Sequence, residues 1–198
     1  IKRLKKNYKE KIIVACDGGV ASGKTSILKK IQKHYGSRST LIDSGLLYRY
    51  LTLVHLKTKK NYINVKYLIK KLKNINLKKL KNSALHSNEV SNKVSDIAKI
   101  AEIRKVLLPI QRKLIFECKH QIVLVGGRDI CSTILPGAFS DLKLYINAKV
   151  KTRAERRYKE LKSKKIAKNI DFKQILKALK ARDLADKTRK TSPLKKTK

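Results

Sequence analysis

Apolar positions recur along this chain at two different periods. Residues 11–16 (Lys11-Ile12-Ile13-Val14-Ala15-Cys16) are a short β-rich run that breaks at Asp17-Gly18-Gly19. Beyond it Ile27, Leu28 and Ile31 follow helical spacing as far as Gly36, which predicts strand, glycine loop, helix. A second strand fits residues 40–43, and a helix fits 45–56 with Leu47, Leu51 and Val54 on one face. Val65, Leu68, Ile69 and Leu72 again recur at helical spacing. Residues 57–81 nevertheless hold ten lysines and few large apolar groups, so this stretch is expected to be exposed and mobile.

Helices are predicted over 88–100 and 102–118, the second with Val106, Leu107, Ile110 and Leu114 toward the core and Pro109 as a point of bending. Residues 121–125 and 142–146 read as strands, 150–161 and 172–184 as helices. The basic, polar stretch 187–198 is expected to be loose unless a ligand orders it. Strands alternating with helices predict an α/β fold with a parallel sheet and crossover helices on both faces. No internal repeat is visible.

Composition modifies this picture in three ways. The 198 residues suffice for one domain with a real core, and no apolar run approaches the roughly 20 residues of a membrane-spanning helix. No apolar signal region precedes the first strand either, which predicts a cytoplasmic protein with no membrane partner. The net charge is +37, from 51 Lys plus Arg against 14 Asp plus Glu, so polyanions are attracted and non-specific nucleic-acid binding is one expected consequence. The 40 lysines are spread along the whole chain, aromatics are 6% and Trp is absent, which reads as a solvated bias more than as a dedicated nucleic-acid reader. Three cysteines without a CxxC pair, and four histidines without ligand spacing to them, support neither a zinc site nor a disulfide framework.

The sharpest motif is Gly18-Gly19-Val20-Ala21-Ser22-Gly23-Lys24-Thr25, a G-x-x-x-x-G-K-[ST] run placed after a strand and opening a helix. Such a loop turns backbone N–H groups and a helix N-terminus toward phosphate oxygens. Ser26 continues that first turn. Lys24 reaches the β- and γ-phosphates, and the Thr25 hydroxyl is the candidate ligand for Mg²⁺. The chain is therefore expected to bind a nucleoside triphosphate. Nine of the eleven arginines, among them Arg49, Arg104, Arg128, Arg153, Arg157, Arg182 and Arg189, fall mostly in predicted loops and helix ends, where a planar fork suits phosphate.

Five segments together resemble the bacterial cytidylate kinase (CMP/dCMP kinase) family. They are the phosphate loop, Leu41-Ile42-Asp43-Ser44-Gly45-Leu46-Leu47-Tyr48-Arg49, the run 88–98, Gly127-Arg128-Asp129-Ile130, and Ala181-Arg182-Asp183-Leu184-Ala185-Asp186-Lys187-Thr188-Arg189 followed by Ser192-Pro193-Leu194. The resemblance implies a P-loop nucleoside monophosphate kinase fold over residues 1–198 as one domain, with a monophosphate-binding region at about 57–100 and a mobile lid at about 153–170. It implies ATP and Mg²⁺ as cofactors, CMP and dCMP as acceptors, and a monomer. It further implies that Ser95, Arg104 and Asp129 contact cytosine, that Arg49, Arg128 and Arg189 clamp the acceptor phosphate beside Ser44, and that Arg182 with Asp186 holds the sugar. Arg153 and Arg157, with Arg156 between them, fall on the lid, whose closure brings arginines to the transferred phosphoryl alongside Lys24, Arg128 and Arg182.

Four departures from the family pattern carry expectations of their own. Gly126 stands where an acidic residue usually precedes GRD, leaving any Walker-B-like influence on Mg²⁺ to Asp17 or a water. Cys131 replaces the usual Gly after GRDI, where its thiol is expected to narrow the acceptor site. Residues 73–86 are too short and Lys-rich for the family's small β-rich cover. The family's last strand and helix are missing after Leu194, which predicts four core strands with an unpaired edge at 142–146, and Ile1 in place of Met is what a fragment would show. The alternatives left open are a weakly active basic P-loop protein that binds nucleic acid, and a kinase for UMP or AMP.

Overall fold

The computed structural model of the chain describes residues 11–72, 75, 79–163 and 171–197. Its first half runs β1 (Ile12–Asp17), α1 (Lys24–Tyr35), β2 (Ser39–Asp43), α2 (Gly45–Lys57), α3 (Val65–Leu72) and α4 (Asn88–Ala98). The second half runs α5 (Ala101–Phe116), β3 (Ile122–Gly126), β4 (Leu142–Tyr145), α6 (Val150–Ser163) and α7 (Phe172–Thr188). Residues 1–42 and 119–198 form one compact unit and residues 43–118 another.

In the first unit the sheet order is β2-β3-β1-β4, with β1 parallel to both β3 and β4. Val14 lies opposite Leu124 on one side and Leu142 on the other. Every residue of β1 is buried, as a central parallel strand covered on both faces requires. Ile12, Val14 and Cys16 pack with Leu28 of α1 and with Ile122 and Leu124 of β3. β4 is an outer strand and half-buried throughout, so the expected sheet edge is there among the described residues. After β3 the chain makes a single π turn, Ile130–Ile134, in which the N–H groups of Ile134 and Leu135 reach back to the carbonyls of Asp129 (3.1 Å) and Ile130 (2.7 Å). No periodicity in the sequence announces that turn.

In the second unit α2, α3, α4 and α5 enclose a core that includes Leu47, Leu51, Leu68, Leu72, Ile97, Ile103 and Leu107. Most described residues of 57–81 are exposed, as expected, but three leucines are not: Leu68 and Leu72 are only 1% and 2% exposed, and Leu80 is buried as well. Leucines four apart form one stripe on α3, and Lys66, Lys70 and Lys71 are exposed, with Lys71 Nζ 5.2 Å over the Tyr67 ring. Residues 73, 74 and 76–78, part of the expected shortened insert, lie outside the described residues, as do 164–170 of the expected lid. α5 continues unbroken through Pro109.

The end of the chain also differs from expectation. Leu194 is buried and its N–H donates to the carbonyl of Asp186 (2.8 Å), while Ser192 takes a positive φ of 53°. Arg189 donates from Nε to the Ser192 carbonyl and Thr197 bonds the Cys131 side chain, so the polar segment is held at several points beside Leu194. No helix among the described residues is long and apolar enough to cross a membrane.

Candidate active site

The phosphate loop is seated by its neighbours. Gly18 has φ +153°, and a Cβ there would stand 2.2 Å from the carbonyl oxygen of Ile146. The Ile146 N–H in turn donates to the carbonyl of Asp17 (2.8 Å), so the end of β4 closes onto the loop and leaves no room for a side chain. Gly23, at φ +97°, supplies the left-handed turn into α1. Lys24 curls over the loop and donates from Nζ to the carbonyls of Gly18 (2.7 Å) and Gly19 (2.8 Å). The first-turn amides of α1 have no partners within the helix, and its positive end favours anions. Thr25 and Ser26 are exposed there, Ser22 is buried, and Val20, Ala21 and Gly23 are half-buried.

Two arginines of α6 reach this loop. Arg153 is buried and donates from Nε to the Ala148 carbonyl (2.9 Å) and from Nη1 to the Val20 carbonyl (2.9 Å). Its fork also grips the Asp183 carboxylate on both oxygens, one of them at 3.0 Å. A Cβ at Gly19 would come within 3.0 Å of both partners of that ion pair. Arg156 donates from Nη1 to the Ser22 carbonyl (3.4 Å). Arg157 instead pairs with Glu160 one turn along its own helix (2.9 Å). Of the three arginines expected on the lid, Arg153 and Arg156 lie against the loop in this structure and Arg157 pairs within its own helix. Asp183, which sequence reasoning did not single out, is the anchor for Arg153. Its only signal was its place between Arg182 and Asp186 in the RDxxDxxR run.

A second cluster gathers four of the predicted residues. Arg128 pairs with Asp186 (2.8 Å), Arg189 with Asp186 (3.5 Å) and Arg189 with Asp129 (3.8 Å). Apart from Arg128, these side chains are 7–8% exposed. Arg189 also donates from Nε to the Ser192 carbonyl (2.6 Å), and the Leu194 N–H holds the Asp186 carbonyl. The two charges of each sign balance, which is what allows them to be buried together. Arg182 is half-buried on the same helix.

Asp17 is fully buried, and its two oxygens accept the N–H groups of Ile130 (2.9 Å) and Cys131 (2.8 Å). Burial raises its pKa, opposed by those two backbone hydrogen bonds. Both oxygens of its carboxylate are engaged by the π turn, and Asp17 is fully buried. Gly126 has its own reason: a Cβ there would meet Leu28 Cδ1 at 3.0 Å. Cys131 is turned inward and buried, and burial followed by the nearby Asp17 charge pushes its thiol up to about 12. A buried thiol beside Asp17 does not narrow an open site as expected.

The other predicted residues belong to the second unit. Ser44 is buried at the start of α2, where the Asp43 carboxylate takes the Gly45 N–H (2.9 Å). Arg49 donates to the Leu85 carbonyl (2.9 Å) and to the Ser91 hydroxyl (3.0 Å), and Ser95 is half-buried one turn further along α4. Arg104 is buried, donates from Nε to the Ala98 carbonyl (2.6 Å), and lies over the Tyr48 ring at 5.2 Å.

The donor set fits a nucleotide with its Mg²⁺. No group of three or more His, Cys, Asp or Glu forms a metal cage among the described residues. Mg²⁺ held mainly by phosphates and waters needs only one or two protein oxygens, and the exposed Thr25 hydroxyl at the head of α1 is such an oxygen.

The family model described as cytidylate kinase matches residues 14–198. A protein of Fusobacterium nucleatum named cytidylate kinase is 38% identical, over 94% of this chain and 86% of its own length. One of Alkaliphilus oremlandii with the same name is 36% identical over 93% and 86%. A third, from Streptococcus uberis, is 35% identical over 93% and 84%.

Proposed function

The chain belongs to the cytidylate kinase family, and from that membership and the geometry above we infer an ATP-dependent phosphotransferase that converts CMP and dCMP to CDP and dCDP. The observation that carries the reading within this chain is the phosphate loop with its own lysine folded over it and two arginines of α6 against its carbonyls.

Phosphoryl transfer demands alignment and charge neutralisation more than covalent chemistry. In this reading the α1 amides and Lys24 hold the β- and γ-phosphates of ATP, with Lys24 exchanging carbonyl partners for phosphate oxygens. Thr25 offers the protein ligand to Mg²⁺, which when bound screens charge between the β- and γ-phosphates. Arg153, Arg156 and Arg157 are carried by α6 as the described part of a lid that excludes water. Arg182 lies on α7 among the catalytic arginines. Arg128 and Arg189 receive the acceptor phosphate by releasing Asp186, which then turns to the sugar.

Ser44, Arg49, Ser95 and Arg104 are assigned to CMP on the resemblance, with Asp129 as the cytosine selector. A carboxylate accepts from the cytosine amino group but faces an acceptor in uracil, a repulsive pairing.

A coupled ADP-release assay over CMP, dCMP, UMP and AMP tests the reading. The cytidine nucleotides should be preferred, and Lys24→Ala should lose about a hundredfold or more in kcat. Equal turnover of UMP or AMP, or ADP formation indifferent to every monophosphate, would overturn it.

A further inference from the structure

We propose that Asp17 is a positioning residue for the phosphoryl transfer, a clamp that fixes the loop bearing Arg128 and Asp129 in register with the phosphate loop. The inference rests on the functional reading above, because it takes Arg128 and Asp129 as acceptor-side residues.

A carboxylate with no exposed surface is costly and persists only where its partners hold it. Asp17 occupies the last position of β1, directly before Gly18, and it bonds in three directions. One oxygen accepts the Ile130 N–H and the other the Cys131 N–H, while its main-chain carbonyl accepts the Ile146 N–H. The Gly127 N–H donates to the neighbouring Cys16 carbonyl (2.9 Å). Residues 127–131 are thus fastened to the end of β1 on both sides of Arg128 and Asp129.

The π turn explains why a side chain is needed. Helical N-termini leave N–H groups without intrahelical partners, and this turn opens at Ile130 inside the protein. Asp17 supplies the two missing acceptors. A neutral amide in its place would keep one acceptor and set an NH₂ against a backbone N–H, so the turn, with Arg128 just before it, would move away from the phosphate loop. Asp17 touches no substrate in this scheme and acts through the N–H groups of Ile130 and Cys131, with the Cys131 thiol as a further partner.

Asp17→Asn is the isosteric test. Its kcat/KM for CMP is expected to fall about ten- to a hundredfold, the scale of a charge-assisted buried hydrogen bond. ATP affinity, measured by titration of a fluorescent ATP analogue, should stay within about twofold. A variant with wild-type kcat/KM for CMP, or one losing ATP and CMP affinity in equal proportion, overturns the proposal.

Amide-resolved hydrogen exchange on the unmodified protein gives a second measurement that does not depend on a variant folding. Ile130 and Cys131 should be protected without ligand, and exchange at the rate of an open peptide would equally overturn it. If the unmodified protein forms no ADP in response to CMP, the functional reading has failed, and the exchange result still decides the clamp.

Discussion

Replacing Asp186 by Asn removes the charge that joins two arginines. In the folded protein Asp186 lies 2.8 Å from Arg128 and 3.5 Å from Arg189, and its side chain is 8% exposed. With it neutral, Arg128 and Arg189 lose the carboxylate that joins them, and Arg189 retains the more distant Asp129 at 3.8 Å. Breaking a buried ion pair by removing one partner costs about 3–5 kcal/mol, and the amide, which keeps the shape and one acceptor, puts the loss near ~3 kcal/mol. For a chain of this size each kcal/mol lowers Tm by about 2–4 °C, so the expected fall is about 6–12 °C.

Thermal melts followed by circular dichroism read this directly. Because the pair is buried, the loss should persist in about 0.5 M salt, where screening acts within a few ångströms. Neutralising Asp96, whose pair with Lys99 is 51–56% exposed at 4.0 Å, should cost about 0.5 kcal/mol or less. Inorganic phosphate should raise the Tm of Asp186→Asn more than that of the unmodified protein, since it gives the two guanidinium groups an anion again. A fall under about 2 °C, or one that vanishes in salt, would refute the assignment of these charges to one cooperative cluster.

Two further outcomes follow from other parts of the fold. Gly18→Ala should cost about 3 kcal/mol or more, since its Cβ would meet the Ile146 carbonyl at 2.2 Å, whereas Gly36→Ala, at φ +56° with nothing within 4 Å, should cost about 1–2 kcal/mol; urea denaturation of both variants compares them. Burial pushes the Cys16 thiol up to about 11 and the Cys131 thiol up to about 12, so at pH 8 their thiolate fractions are about 10⁻³ and 10⁻⁴ against about a quarter for an ordinary thiol. Iodoacetamide labelling followed by peptide mass spectrometry should therefore modify the half-buried Cys118 first, and labelling of Cys131 at a comparable rate would contradict its burial.

Much of the architecture was legible because local pattern and tertiary role agree. The apolar run at 11–16, the glycine punctuation after it and the periodic leucines of α2 each announce one element, and the structure moves their ends by a residue or so. Residues 57–81 are mostly exposed as their lysines suggest, but Leu68 and Leu72, with Val65 beside them, commit α3 to the core, a stripe that lysine content averages away. At the polar end Leu194 is buried and residues 189–197 bond to Asp186 and Cys131, contacts that no periodicity announces.

The site was less legible wherever an assignment needed a distant partner. Asp17 bonds to Ile130 and Cys131, more than a hundred residues along the chain, and no spacing encodes that. Arg156 and Arg157 follow Arg153 at three and four residues, both on its face of a helix, so the one that lies over the loop is decided by packing. The pairing of Arg153 with Asp183 likewise joins α6 to α7 through space.

Ile146 follows β4 directly and Arg153 lies in the first turn of α6, and they meet the phosphate loop at Gly18 and Val20 respectively. On the proposed reading, an outward swing of that helix would draw on the cradle at Val20 through Arg153, beside the point where Ile146 holds Gly18. Escape of the spent nucleotide and slackening of the grip that held it would then be one mechanical event, driven from a short crank.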